Sequence, residues 1–305
     1  MAGWLGWLVT VAGAAVTVLT LRDIFRTLWY PSGQGDLSSH VMRLVWRLGR
    51  RRRRAGASGI LTGPLALAGV IAVWLLLLVL GGALLYAPHL PEGFAFSSSL
   101  DRAERGGVLD AVYVSMVTVA TLGFGDVLPT AAWLRIAVPL QAVFGFALLT
   151  ASVTWVLQVY PALIRRRSLA VRLSLLRRSA TAGLLDDPGS ASAATLLDGL
   201  SAQVVQARVD LTEYAETYYF REGSTDASLP AQLGVAVDLV AAGRAAPRQD
   251  VRVAAEVLDT ALGDLARIID EQFLGTGQSA AEVLRRYADD HHQDQRRWDP
   301  PRRGR

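Results

Sequence analysis

Ala120-Thr121-Leu122-Gly123-Phe124-Gly125-Asp126 carries glycine at two alternate positions and directly follows a short apolar stretch, Val108 to Val119. Two longer apolar runs flank it, Ile60 to Tyr86 before and Trp133 to Tyr160 after. A helix needs about 20 apolar residues to cross about 30 Å of hydrocarbon. Both flanking runs meet that length, and Val108–Val119 falls short of it. The pattern predicts two spans joined by a short re-entrant helix and a glycine-bearing return. Non-helical backbone survives at membrane depth only when it is buried in protein or lines an aqueous path.

A further apolar run, Gly3 to Leu21, lies N-terminal to these. The rival reading is a secretory signal peptide, with Ala12-Gly13-Ala14-Ala15 as a cleavage-like stretch. Such a peptide wants positive charge before its apolar run, and here Arg22 and Arg26 come after it. A retained span with its N-terminus outside is the expectation. Nine arginines fall between Arg22 and Arg54, against Asp23 and Asp36 alone. A second basic block, Arg165-Arg166-Arg167 to Arg178, follows the last apolar run. Basic loops stay cytoplasmic, so both blocks point inward and residues 87–131 join the last two spans outside. The arginines could in principle serve nucleic acid, but their place between apolar runs makes membrane topology the reading, and no nucleic-acid partner is expected. Tyr86 and Trp133 are read as interfacial aromatics.

Composition agrees with this division. Half the residues (51%) are hydrophobic, mean hydropathy is positive, and most of the acids lie outside the apolar runs. That describes a membrane domain followed by a soluble one. The chain has no cysteine, which excludes disulfides and cysteine-ligated metal. The expected divisions are a transmembrane helix at 1–22, a basic cytoplasmic linker at 23–58 and a pore domain at 59–167. A cytoplasmic helical domain at 168–298 and a disordered tail at 299–305 complete the chain. The expected fold class is an all-α membrane protein.

Dehydrating a potassium ion requires oxygens that replace its water shell, and the carbonyls of a narrow loop can supply them. For successive carbonyls to face one axis, alternate residues must leave the right-handed region. Glycine does so at little cost, so Gly123 and Gly125 sit where that geometry needs them. Potassium is expected on the carbonyls of Thr121, Leu122, Gly123 and Phe124, with the Thr121 hydroxyl available at the inner end and Gly125 completing the loop. One chain supplies one loop, and a ring around an ion takes four, so a homotetramer is expected.

The sequence here resembles the potassium channel pore family, in its bacterial form with two principal spans and one pore loop. Asp110-Ala111-Val112-Tyr113, Ser115, Thr118, the stretch Ala120 to Asp126 and Pro129 carry the resemblance, which covers roughly residues 60–165. It implies passive potassium conduction and no enzymatic activity. The family pattern runs threonine, valine, glycine, tyrosine or phenylalanine, glycine, aspartate. This chain departs at Leu122, at Phe124, which lacks the tyrosine hydroxyl, at Ala120 where threonine is common, and at Val117 where some relatives carry a glutamate. These departures bear on filter rigidity more than on ion choice, and imply a filter that fluctuates more readily. Asp126 is read either as a group held behind the filter mouth by Tyr113 or as a solvated turn residue.

Gly145 lies where the family often has a bending glycine, and it is a candidate hinge or a packing contact. Leu149, Val153 and Leu157 share a helix face below it and form a candidate gate. No span carries regularly spaced arginines, so strong voltage sensing is not expected. Arg50, Arg51, Arg52, Arg53 and Arg54 are read as topology determinants, with anionic lipid as a further candidate partner.

Past residue 168, Leu197, Leu200, Val204, Leu211, Tyr214 and Tyr218 recur at helical spacing, as do Leu258, Leu262, Leu265, Ile269 and Phe273. They predict a bundle of about four helices. No strand leads into Gly-x-Gly-x-x-Gly, so the dinucleotide-type regulatory domain of many relatives is not expected. Asp289-Asp290-His291-His292 with Asp294 is read as a solvated helix end, with divalent metal as the alternative. Two other functions stay open: a non-selective cation channel on the same scaffold, and a membrane-anchored signalling protein with a dormant pore.

Overall fold

A computed structural model of the chain describes residues 3–29, 35–54, 59–97, 107–179, 185, 187, 192–293 and 295–296. Three helices are long and apolar enough to cross a membrane, α1 (Trp4–Trp29), α3 (Thr62–Tyr86) and α5 (Leu134–Arg178). Between α1 and α3 runs α2 (Asp36–Arg54), and between α3 and α5 the short α4 (Val108–Val119). Beyond α5 follow α6 (Ser192–Glu213), α7 (Leu229–Arg244), α8 (Gln249–Ile269) and α9 (Ala280–Asp290). A two-stranded antiparallel pair, β1 (Phe94–Phe96) with β2 (Val127–Pro129), is a small addition to the all-helical expectation. The tail segment 299–305 and Asp294 lie outside the described residues.

The chain forms two compact units: Met1–Leu48 with Pro64–Leu157, and Gly49–Gly63 with Gln158–Arg305. Two expected boundaries fall inside helices. α1 continues past residue 22 to Trp29, and α5 continues past residue 167 to Arg178. The apolar run ends at those points but no helix breaker does, and arginine is a good helix former.

In the first unit, α1 meets α3 through small residues. A Cβ on Gly13 would stand 2.6 Å from the Gly81 carbonyl oxygen and 2.7 Å from the Leu85 nitrogen. That close approach of backbones through small residues is how helices pack where lipid gives no hydrophobic drive, and the Thr17 hydroxyl is satisfied within α1 by the Gly13 carbonyl at 3.0 Å. At the Arg22 end, Asp23 is buried. It accepts the backbone N–H of Leu37 (2.9 Å) and Ser38 (3.3 Å) at the start of α2, and the indole N–H of Trp74 on α3 (2.9 Å). A carboxylate there suits the positive end of the α2 dipole. α2 buries Ser38, Met42 and Trp46, one stripe at four-residue spacing.

The second unit is the predicted helical bundle. Leu197, Leu200 and Val204 of α6 are fully buried, as are Leu258 of α8 and Leu239 of α7. Two corrections concern its stripes. α6 ends at Glu213, so Tyr214 and Tyr218 are not on it; a 3-10 turn, Ala215–Tyr219, takes over. Phe273 sits in a π-turn, Asp270–Leu274, closed by Gly275 at φ 61. Tyr218 stacks on Phe273 at 4.0 Å between ring centres. The three arginines after the last span are docked in this unit. Arg165 grips Asp210 with two bonds of 2.8 and 2.7 Å, and Arg167 meets Glu222 at 2.8 Å. Arg166, itself buried, donates to the carbonyls of Thr217 and, at 2.9 Å, Phe220.

At the end of α9, Asp289 and His292 are exposed as expected, Asp290 is half-buried, and His291 is the exception. His291 is buried between rings, its two nitrogens on the carbonyls of Tyr287 (3.1 Å) and Tyr218 (2.8 Å), and Asp290 accepts the Tyr218 hydroxyl at 2.8 Å. A neutral ring carries one N–H and so donates to one of these carbonyls; its burial among the rings of Tyr218 and Tyr287 makes it a structural histidine. Among the described residues no cluster suits a metal ion. Burial, then the nearby Arg166 charge, pushes His291 down to about 4. Burial also pushes Glu216 up to about 7, and its Oε2 has no hydrogen-bond partner among the described residues.

A carboxyl raised above its ordinary value binds more protons when folded, so its stabilising effect is full below about 4.5 and is lost as pH rises through about 7. Glu216→Gln is expected to flatten stability over that window, where the native slope from this group reaches at most about 1.4 kcal/mol per pH unit. Denaturant unfolding at pH 5 and pH 7.5 checks it. Equal slopes in both proteins would show that Glu216 does not titrate there.

Candidate functional site

α4 is capped by Gly107, whose N–H is received by the Asp110 carboxylate at 3.2 Å, and it buries Ala111, Val114, Ser115, Thr118 and Val119. Its last carbonyls stay occupied as the helix unwinds. The Thr121 N–H donates to Thr118 and the Leu122 N–H to Val117, both at 2.9 Å. From there the backbone alternates. Thr121 has φ 56, Gly123 φ 54 and Gly125 φ 76, with ordinary residues between them. Alternation of this kind turns successive carbonyls toward one side of the strand. A β-branched residue at positive φ is an outlier that costs on the order of 1–3 kcal/mol, and such strain collects at functional sites.

Thr121, Leu122, Gly123, Phe124 and Gly125 are all exposed in the single chain, Leu122 by 58% and Phe124 by 64%. Large apolar side chains this open leave an apolar surface that the single chain does not cover. Past the loop the chain is anchored. The Tyr113 hydroxyl donates to the Asp126 carboxylate at 2.6 Å, and the Ser97 N–H to the Asp126 carbonyl at 2.8 Å. Phe94–Phe96 then pairs with Val127–Pro129, Ala95 opposite Leu128. Of the two readings of Asp126, the geometry is that of a group held by Tyr113. Val117 is half-buried and Ala120 exposed, and neither offers a polar group to the loop.

Behind α4 lies a polar network that the sequence reading missed. Tyr86, expected at an interface, is fully buried, and its hydroxyl donates to Gln141 Oε1 at 2.6 Å. The Gln141 amide donates to the Leu78 carbonyl (3.1 Å) and to Ser115 Oγ (2.8 Å), and Ser115 donates to the Val79 carbonyl (2.8 Å). One glutamine on α5 thus ties the short apolar helix α4 to α3, and Gly82 leaves room for it: a Cβ there would stand 2.5 Å from Ser115 Oγ. The available signal was a lone glutamine in an apolar span, a placement that is costly unless partnered. Gln141→Leu leaves the Tyr86 and Ser115 hydroxyls short of a partner, and about 1–3 kcal/mol of stability per buried group is expected to go. Thermal unfolding in detergent reads this. A melting point within error of wild type would mean that the network does not hold α4.

Trp133 packs against His89 (4.8 Å between ring centres) and Trp7 (6.1 Å), and His89 Nε2 meets Thr10 Oγ1 at 2.9 Å. On α5, Gly145 faces the end of α4: a Cβ would collide with the Val119 carbonyl oxygen and stand 2.9 Å from its carbon. Close packing is therefore one role of this glycine. Leu149, Val153 and Leu157 lie further along α5, exposed by 64%, 53% and 66%. Arg50 to Arg54 end α2, and their side chains lie outside the description.

The chain is similar to "uncharacterized membrane protein YdjJ" of Bacillus subtilis (strain 168), with 27% identity over 163 residues. The match takes in 52% of this chain and 46% of that protein, so the chain spans less than half the length of this curated relative. No solved structure matches. Residues 67–160 match a family described as "ion channel", a segment that holds most of α3, the re-entrant helix, the alternating loop and α5 as far as Tyr160. The chain is thus an all-α membrane protein whose residues 67–160 are similar to the ion-channel family.

Proposed function

We propose that the chain is one subunit of a homotetrameric, potassium-selective channel that conducts passively. The observation carrying this is the left-handed alternation at Thr121, Gly123 and Gly125, straight after a re-entrant helix that ends in occupied carbonyls. Carbonyls of Thr121, Leu122, Gly123 and Phe124 would replace the water of a potassium ion, and four loops complete each ring. Exposure of Leu122 and Phe124 supports assembly, since neighbouring copies would cover them. The C-terminal end of α4 would place the negative end of its dipole near the ion path, a favourable term of about 0.3–1 kcal/mol per helix.

Tyr113 and Asp126 then support the filter from behind. Leu149, Val153 and Leu157 would gate by forming apolar rings that shed water, and Gly145 would let α5 bend. The arginine blocks support a topology in which α2 and the helical domain would lie in the cytoplasm and the N-terminus outside, in the plasma membrane, with Arg50 to Arg54 near anionic lipid.

Purified protein in planar bilayers under a potassium-against-sodium gradient tests this reading. A reversal potential near the potassium equilibrium value is expected. Reversal near zero would point to the non-selective alternative, and absence of any unitary current at all voltages to the dormant-pore one.

A further inference from the structure

At the Arg22 end of the first unit, a cavity of about 310 Å³ opens between α1, the start of α2 and Leu77 of α3. Its walls divide by chemistry. Val16, Leu19 and Leu77 line one part, while Arg22, Arg26, Asp23 and Asp36 line the other. Leu19 is exposed by 60% on a spanning helix, so the apolar part faces hydrocarbon.

The four charges are not equivalent. Asp23 is buried and occupied by the α2 N-terminus and by Trp74, with three donors on its two oxygens. Arg26 pairs with Asp36 at 3.1 Å, a bond in which the aspartate side chain is 83% exposed. Such an exposed pair contributes little and exchanges readily. Arg22 is exposed and has no hydrogen bond or ion pair among the described residues. It sits one turn from Arg26 on the same face. A cation without a partner among the described residues, where an apolar wall meets a charged one, suits a phosphate ester carrying an acyl chain.

We propose that this cavity binds one anionic phospholipid from the leaflet on the Arg22 side, with its phosphate on Arg22 and Arg26 and the first methylenes of an acyl chain against Val16, Leu19 and Leu77. The volume suits a phosphoglycerol headgroup and the start of its chains, the remainder lying in the bilayer. The site holds whichever ion the pore conducts, so its test does not depend on that reading.

The test is native mass spectrometry of the detergent-purified full chain titrated with phosphatidylglycerol, phosphatidylcholine or sn-glycerol 3-phosphate. One phosphatidylglycerol per chain is expected to bind more tightly than phosphatidylcholine, and glycerol phosphate not to compete at equal concentration. Arg22→Gln should weaken the phosphatidylglycerol site about fivefold and leave phosphatidylcholine unchanged. Leu77→Trp, which fills the apolar wall, should weaken both lipids, and Arg47→Gln, away from the cavity, neither. Equal affinity of wild type and Arg22→Gln for phosphatidylglycerol would overturn the proposal. So would effective competition by glycerol phosphate, which would mean a soluble phosphate site. If Arg22→Gln cannot be purified, unchanged binding in Leu77→Trp overturns it equally.

Discussion

In the proposed potassium-selective tetramer, Gly123→Ala is expected to abolish selectivity and to weaken the assembly. Nothing lies within 4 Å of a Cβ built at Gly123, so the effect does not come from a clash inside the chain. It comes from the backbone, which holds φ 54 there. An L-residue in that region costs about 1–2 kcal/mol. In a tetramer the cost recurs four times around one axis, about 4–8 kcal/mol in all, and the loop can escape it by turning its carbonyls away from the path. Selectivity then goes before folding does. Reversal potentials read the first effect and thermal dissociation of the oligomer the second. Gly263→Ala is the control, a glycine of α8 with right-handed backbone and open space around it, where alanine should be neutral or slightly stabilising. Retained selectivity in Gly123→Ala would remove this loop from the ion path.

Gly145→Ala separates two roles for one glycine. Helix propensity alone favours alanine by about 0.8–1 kcal/mol. Against that, the added methyl meets the oxygen, carbon and Cα of Val119, backbone atoms at the end of the re-entrant helix that cannot rotate aside. Overpacking of this kind costs about 1–3 kcal/mol, so the steric term wins and each chain is destabilised. Because the strain falls on Val119, two residues before Thr121, altered selectivity should accompany the lower melting point. A glycine serving only as a hinge predicts otherwise: a stable protein with changed opening and intact selectivity. Unfolding curves and reversal potentials on the same preparation decide between them. A variant as stable and as selective as wild type would refute the close approach.

The spans, the short re-entrant helix and the helical tail were legible because each rests on a local quantity, the length of an apolar run or its period. The alternating backbone at Gly123 and Gly125 was legible for the same reason, since a glycine's conformational freedom travels with the residue. Thr121 at φ 56 was not, because its own chemistry opposes that conformation and the preceding helix end imposes it. Tyr214 and Tyr218 continued a helical stripe on paper although the helix stops at Glu213. Periodicity records which residues seek burial, and a tight turn can bury them as well as a helix can.

Single polar residues were the hardest to read. Asp23, Gln141 and His291 looked like a stray acid, an unremarked amide and a solvated helix end. Each is buried, and each is stabilised by partners between 51 and 73 positions away along the chain: Asp23 by Trp74, Gln141 by Tyr86 and Leu78, His291 by Tyr218. The sequence by itself determined which runs are long and apolar enough to cross a membrane and where the backbone can turn left-handed, because hydropathy and glycine act over a few residues. Only the tertiary structure decided which polar groups hold that arrangement in place, because a buried hydrogen bond depends on both partners meeting, and folding alone brings them together.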